Sequence, residues 1–149
     1  MTSHKASASI DSLVPTEKLS MPILKFHLYQ SRSPKEIDYL LDVAHDVMVQ
    51  TFDVPTADRY QIVNEHAPLN MRALDTGLGI PRTNKFVLLE VVSRPRGKAA
   101  KVAFYENLCA ALQEKCGIAA SDVMISFTEN TDEDWSFGHG RAQFLTGEL

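Results

Sequence analysis

The chain has 149 residues, enough for one domain with its own core and too few for two. Apolar residues make up 44% and charged residues 23%, and a net charge of −4 with a pI near 5.7 argues against nucleic acid as a partner, because phosphate binding needs a basic face. No apolar run approaches the roughly 18 residues of a membrane span, and the first twenty residues lack a signal peptide's apolar core, so a cytoplasmic protein without a membrane partner is expected.

Those twenty residues hold five serines, two threonines and one proline with scattered charge. Residues 1–21 are therefore expected to be a disordered extension or a mis-assigned start, ahead of one domain spanning residues 22–149. The pattern changes at Pro22. Pro22 to Tyr29 reads as a strand, and Ser33-Pro34-Lys35-Glu36 has helix-start chemistry: a capping serine, proline in the first position and glutamate in the third. Ile37, Leu40, Leu41, Ala44, Val47, Met48 and Thr51 follow helical spacing until Asp53-Val54-Pro55 ends the run. Tyr60 to Glu65 reads as a second strand and Phe86 to Val92 as a third, rich in branched residues. Lys98 to Lys115 carries Phe104, Tyr105, Leu108, Ala111 and Leu112 on one helical face, and Gly117 closes that helix. Val123 to Thr128 predicts the fourth strand.

Residues 22–66 slide onto residues 86–130 by 64 positions without a gap. Leu24 then falls on Leu88, Arg32 on Arg96, Asp58 on Asp122 and Glu65 on Glu129. The agreement of strand, helix and strand, more than these four identities, points to a duplicated β-α-β unit. Two right-handed crossovers give an α+β fold, a four-stranded sheet with both helices on one face. Apolar residues point both ways in Phe86 to Val92 and Val123 to Phe127, so the other face needs cover, and further copies of the chain are the economical answer.

Three features could carry chemistry. Met21-Pro22 immediately precedes a strand. Arg94 and Arg96 stand at i and i+2, on one face of extended chain, with Pro95 stiffening the backbone between them. From spacing alone they are either surface charges at a strand end or a forked anchor for a carboxylate. In the tail, residues 131–149, Trp135, Phe137 and Phe144 alternate with Gly138, Gly140 and Gly147, which disfavours an independent helix. These aromatics either pack on the core or form an apolar wall beside a small-molecule site.

Other signals are weaker. Cys109 and Cys116 lie two helical turns, roughly 10 Å, apart, too far for a disulfide, and are expected as buried, reduced thiols. Gly77-Leu78-Gly79 lacks the third glycine of a dinucleotide loop. His27, His45, His66 and His139 lack metal-ligand spacing, His45 reads as a core histidine, and Asp132-Glu133-Asp134 reads as a solvated turn.

From Pro22 to Leu149 the chain resembles the malonate semialdehyde decarboxylase-like family of the tautomerase superfamily. The segments that carry the resemblance are Pro22-Ile-Leu-Lys-Phe26, Asp58-Arg-Tyr-Gln61, Asp75-Thr-Gly-Leu-Gly79, Ser93-Arg-Pro-Arg96, and Asp134-Trp-Ser-Phe-Gly138 through Phe144-Leu-Thr-Gly147. The resemblance implies a tautomerase-like fold assembled as a homotrimer and a Pro22 that acts through its secondary amine once Met21 is removed. It implies Asp58 as a catalytic aspartate, Arg94 and Arg96 as carboxylate-binding arginines, and Trp135, Phe137, Phe144 and Leu149 as an apolar wall. Arg32 matches an arginine that other superfamily members use on substrate. The implied reaction is decarboxylation of malonate semialdehyde or a related 3-oxo acid, with no metal and no organic cofactor. The alternatives are a tautomerase, hydratase or dehalogenase acting on a small unsaturated carboxylic acid, or a catalytically silent trimer. Twenty residues and Met21 precede Pro22, and inside a chain its nitrogen is an amide without basicity. A start at Met21 is expected, ahead of cleavage or loss of amine chemistry.

Overall fold

In the computed structural model, which describes residues 22–149, Ser33 closes a capping box at the head of the first helix. Its hydroxyl accepts the Glu36 N–H at 3.1 Å, and Glu36 Oε1 accepts the Ser33 N–H at 2.8 Å. That helix, α1 (Pro34–Phe52), follows strand β1 (Ile23–Tyr29) and leads to β2 (Tyr60–His66). The second unit runs β3 (Val87–Ser93), α2 (Lys98–Cys116) and β4 (Val123–Glu129). Gly117 ends α2 at φ 68°, a left-handed conformation open to glycine at no steric cost, and its N–H reaches the Leu112 carbonyl. The extension expected over residues 1–21 lies outside the described residues.

The sheet order is β2-β1-β3-β4. β1 is parallel to β2, β3 is parallel to β4, and β1 and β3 run antiparallel at the centre. Leu24, Phe26, Leu28, Val87, Leu89 and Val91 are buried against Leu40, Ala44 and Met48 of α1 and Phe104, Leu108 and Leu112 of α2, so both helices cover one face. The other face is mixed. Tyr60, Ile62 and Met124 are exposed there, and a polar row crosses three strands: Glu90 to His27 Nε2 at 2.6 Å, and His27 Nδ1 to His66 Nε2 at 2.9 Å.

The gapless 64-residue slide holds for the helices and keeps the facing of β2 onto β4, but it inverts the facing of β1 onto β3. Leu24 points to the helices whereas Leu88 sits on the open face. Ile23 pairs with Tyr60 while Val87 pairs with Val123, a step one residue shorter in the second unit. Side chains alternate with period two, so one residue of difference inverts the face. The duplication is real in topology, with a single-residue shift inside it. Cys109 and Cys116 are free, as their spacing requires, but half-buried rather than buried. His45 is a core histidine, its Nε2 2.8 Å from the Thr56 carbonyl.

Candidate active site

The antiparallel centre of the sheet decides which loops meet. Ile23 opens β1 and lies opposite Val92 near the close of β3, while Tyr60 pairs with Ile23 on the other side. Pro22, the Asp58–Arg59 turn before β2, and Ser93 to Arg96 after β3 therefore share one end of the sheet. β4 runs parallel to β3 and delivers the tail to that same end. Pro22, Asp58, Arg94, Arg96, Trp135, Phe137 and Phe144 are brought together in this way.

Pro22 is buried at the head of β1. Asp58 is 2% exposed, and neither carboxyl oxygen has a hydrogen-bond partner among the described residues. Burial pushes its pKa up to about 7, opposed by the positive charge of Arg96. Such a carboxyl is costly unless the site uses it. Arg94 is 5% exposed; its Nη1 donates to Asp132 Oδ1, and its guanidinium lies 3.9 Å from the Phe144 ring centre. Arg96 is 4.6 Å from the Phe52 ring centre, and its Nε donates to Ser93 Oγ at 3.0 Å. The fully buried Ser93 hydroxyl also donates to the Arg94 carbonyl at 2.8 Å, tying the two arginines' backbone and side chain together.

The tail does form a wall. Trp135 stacks on Phe137 at 5.4 Å, and Phe137 meets Phe144 edge-on at 5.4 Å and Tyr60 at 6.4 Å. Trp135 Nε1 donates to Asn130 Oδ1 at 2.6 Å, so the indole is fixed at its polar edge. Gln143 links the Phe137 N–H and the Gly138 carbonyl, both at 2.9 Å. The tail also closes into one short helical turn, α3 (Gln143–Thr146), despite its glycines. A cleft of about 450 Å³ opens beside this wall, lined by Ile23, Tyr60, Val92, Asn130, Trp135 and Phe137 among others.

Leu149 is 39% exposed with its N–H on the Gln143 carbonyl, and, like Pro22, Asp58, Arg94, Arg96 and Phe144, it is not among the residues lining that cleft. One expected residue stands apart. Arg32 follows β1 and so lies at the opposite end of the sheet, roughly 20 Å away along the strand. Asp132-Glu133-Asp134 is the solvated turn that was expected, with Glu133 and Asp134 exposed, and within it Asp132, half exposed, holds Arg94 while Asp134 caps Thr131. Sequence reasoning missed Tyr60, Asn130, Asp132 and Ser93. Of these, Ser93 and Tyr60 carried a signal, their places beside the arginine pair and beside Asp58.

Two family models, each described as tautomerase enzyme, match residues 58–138 and residues 22–80. A probable tautomerase of Bacillus subtilis, YrdN, is 50% identical over 129 residues, covering 87% of this chain and all of that protein. The chain belongs to the tautomerase superfamily. Among solved structures, this tautomerase-superfamily chain is similar to a malonate semialdehyde decarboxylase with decarboxylase and hydratase activities. The identity is 52% and the TM-score 0.83, over 85% of this chain and 98% of that one. It is also similar to the FG41 malonate semialdehyde decarboxylase inhibited by 3-bromopropiolate, at 36% identity and TM-score 0.81, over 85% and 97% of the two chains.

Proposed function

We propose that this protein decarboxylates malonate semialdehyde or a related small 3-oxo acid, using the amine of Pro22 freed at a chain terminus. The observation that carries the reading is the buried Asp58 carboxyl, without a partner among the described residues, at the same end of the sheet as Pro22 and the two arginines. Similarity to two malonate semialdehyde decarboxylases supports the substrate class.

Each part then has a role. Arg94 and Arg96 bind the substrate carboxylate, with Asp132, Ser93 and the Phe52 and Phe144 rings holding their guanidinium groups in place. The carbon–carbon bond breaks, CO2 departs, and the electron pair moves toward the carbonyl oxygen as an enolate. A protonated Pro22 amine donates to that oxygen as general acid. Ionised Asp58 favours the charged amine. Arginine attraction to the carboxylate opposes its loss, and the Trp135–Phe137 wall offsets this by favouring neutral CO2. Attack of the amine on the aldehyde to give an iminium is a second route to the same electron sink. The reading requires neither a metal nor an organic cofactor.

The hydratase activity of one similar enzyme favours a second reading, hydration of a small unsaturated carboxylic acid at the same site. We read the assembly as a cytoplasmic homotrimer, because the exposed Tyr60, Ile62 and Met124 lie on a sheet face that no helix among the described residues covers. Its free thiols suit a reducing compartment. Incubation with malonate semialdehyde, followed by proton NMR, should show acetaldehyde appearing as substrate disappears. Hydration products from an unsaturated acid, without acetaldehyde from the aldehyde acid, would overturn the first reading in favour of the second.

A further inference from the structure

The far end of the sheet repeats the plan of the near end, with the one-residue shift already noted. Phe86 immediately precedes β3 as Pro22 precedes β1, and Asp122 immediately precedes β4 as Asp58 stands just before β2. Arg32 follows β1 by three residues as Arg96 follows β3. We propose that this far end is a second anion site, built on Arg32, Lys85 and Lys115, that binds a small carboxylate without turning it over.

The absence of turnover follows from what replaced the reacting groups. The Phe86 nitrogen is an amide that donates to the Thr83 carbonyl at 3.1 Å, so the position that matches Pro22 offers no basic nitrogen. Asp122 is 1% exposed like Asp58, but it is fully engaged. It accepts the Thr83 N–H at 2.7 Å and the Thr83 hydroxyl at 2.5 Å. One aspartate has become a pin for the loop before β3, whereas the other meets no hydrogen-bond donor among the described residues.

The arginine has kept its capacity. Arg32 lines a cleft of about 270 Å³ together with Lys85, Lys115, Glu36, Cys116 and Gly117. Its Nη2 donates to the Lys85 carbonyl at 2.7 Å, which fixes the fork, while Nη1 is buried with no partner among the described residues. Three cations meet one carboxylate in this lining, and Glu36 already accepts the Ser33 N–H. A positive, confined cleft with an ordered guanidinium edge selects a small anion, and the planar fork matches a carboxylate. The cleft is smaller than ordinary drug-sized pockets, so the guest has few atoms. This inference stands on the far end's own geometry and does not depend on catalysis at Pro22.

Malonate is the probe. Calorimetric titration of the intact 149-residue chain should show two malonates per subunit. Arg32→Gln should remove one of them, and Lys115→Gln, on the exposed last turn of α2, should weaken that same one about tenfold. A single site that both variants leave unchanged overturns the proposal. Inorganic phosphate, titrated in parallel, should bind the far end less tightly than malonate; tighter binding of phosphate overturns the carboxylate assignment. Because the readout is stoichiometry and not turnover, failure here is distinct from failure of the decarboxylase reading.

Discussion

Replacing Asp58 by asparagine separates what this carboxyl costs the fold from what it does for the site. The group is 2% exposed, and burial lifts its pKa from an ordinary 3.8 to about 7 against the pull of Arg96. A raised folded-state pKa means that the native protein holds this proton more tightly than the unfolded chain does. The stability so contributed is complete below the unfolded value, near pH 4, and is lost as pH rises through about 7. One pKa unit is worth about 1.4 kcal/mol, so a rise of this size corresponds to roughly 2–4 kcal/mol at pH 8 once water entry and relaxation are discounted. Asp58→Asn keeps the shape and removes the titration. Urea unfolding at one fixed protein concentration should give nearly equal stabilities at pH 4. A gap in favour of the variant should then open to roughly 2–4 kcal/mol by pH 8, while its decarboxylation rate falls. A variant less stable than wild type at pH 8, or a gap that does not change with pH, refutes the reasoning.

Arg94→Ala and Arg96→Ala should each lower kcat/KM by the equivalent of about 2–5 kcal/mol, the cost of removing one partner from a desolvated charged contact; near-normal turnover in both returns them to structural roles. Ser33→Ala removes half of the capping box and should cost about 1 kcal/mol in thermal or urea unfolding, with activity unchanged per folded molecule. Sedimentation at micromolar concentration should report three copies of the 16.6 kDa chain, and a stable monomer would remove the role assigned to the open sheet face.

Much of the fold was legible because local chemistry and burial agreed. Ser33 and Glu36 announced the start of α1, Gly117 the end of α2, and the branched runs the strands. The face assignment of β3 was not legible. Leu88 and Leu89 are equally apolar, and only the pairing register decides which meets the helices. At the site, Arg94 and Arg96 declared themselves by spacing and Pro22 by its place before a strand. Asp58 carried no signal of its own, since an aspartate in a turn looks ordinary until burial removes its solvent. Asp132 is solvated as it reads, and its pairing with Arg94 was not legible because the partner is 38 positions away. Arg32 and Arg96 look equivalent in sequence, and the antiparallel pairing of β1 with β3 is what sends them to opposite ends.

The central claim is that a proton-bearing nitrogen on Pro22 does the chemistry, and it is tested most directly by comparing two forms of the protein. One is the 149-residue chain, in which Met21 acylates that nitrogen; the other begins at Met21 and exposes Pro22 once the methionine is removed. With both N-termini verified by mass spectrometry and both forms folded, malonate semialdehyde should be decarboxylated by the form beginning with Pro22 and hardly at all by the longer one. Equal rates from the two verified forms would contradict amine catalysis and leave the reaction to Asp58 and the arginines.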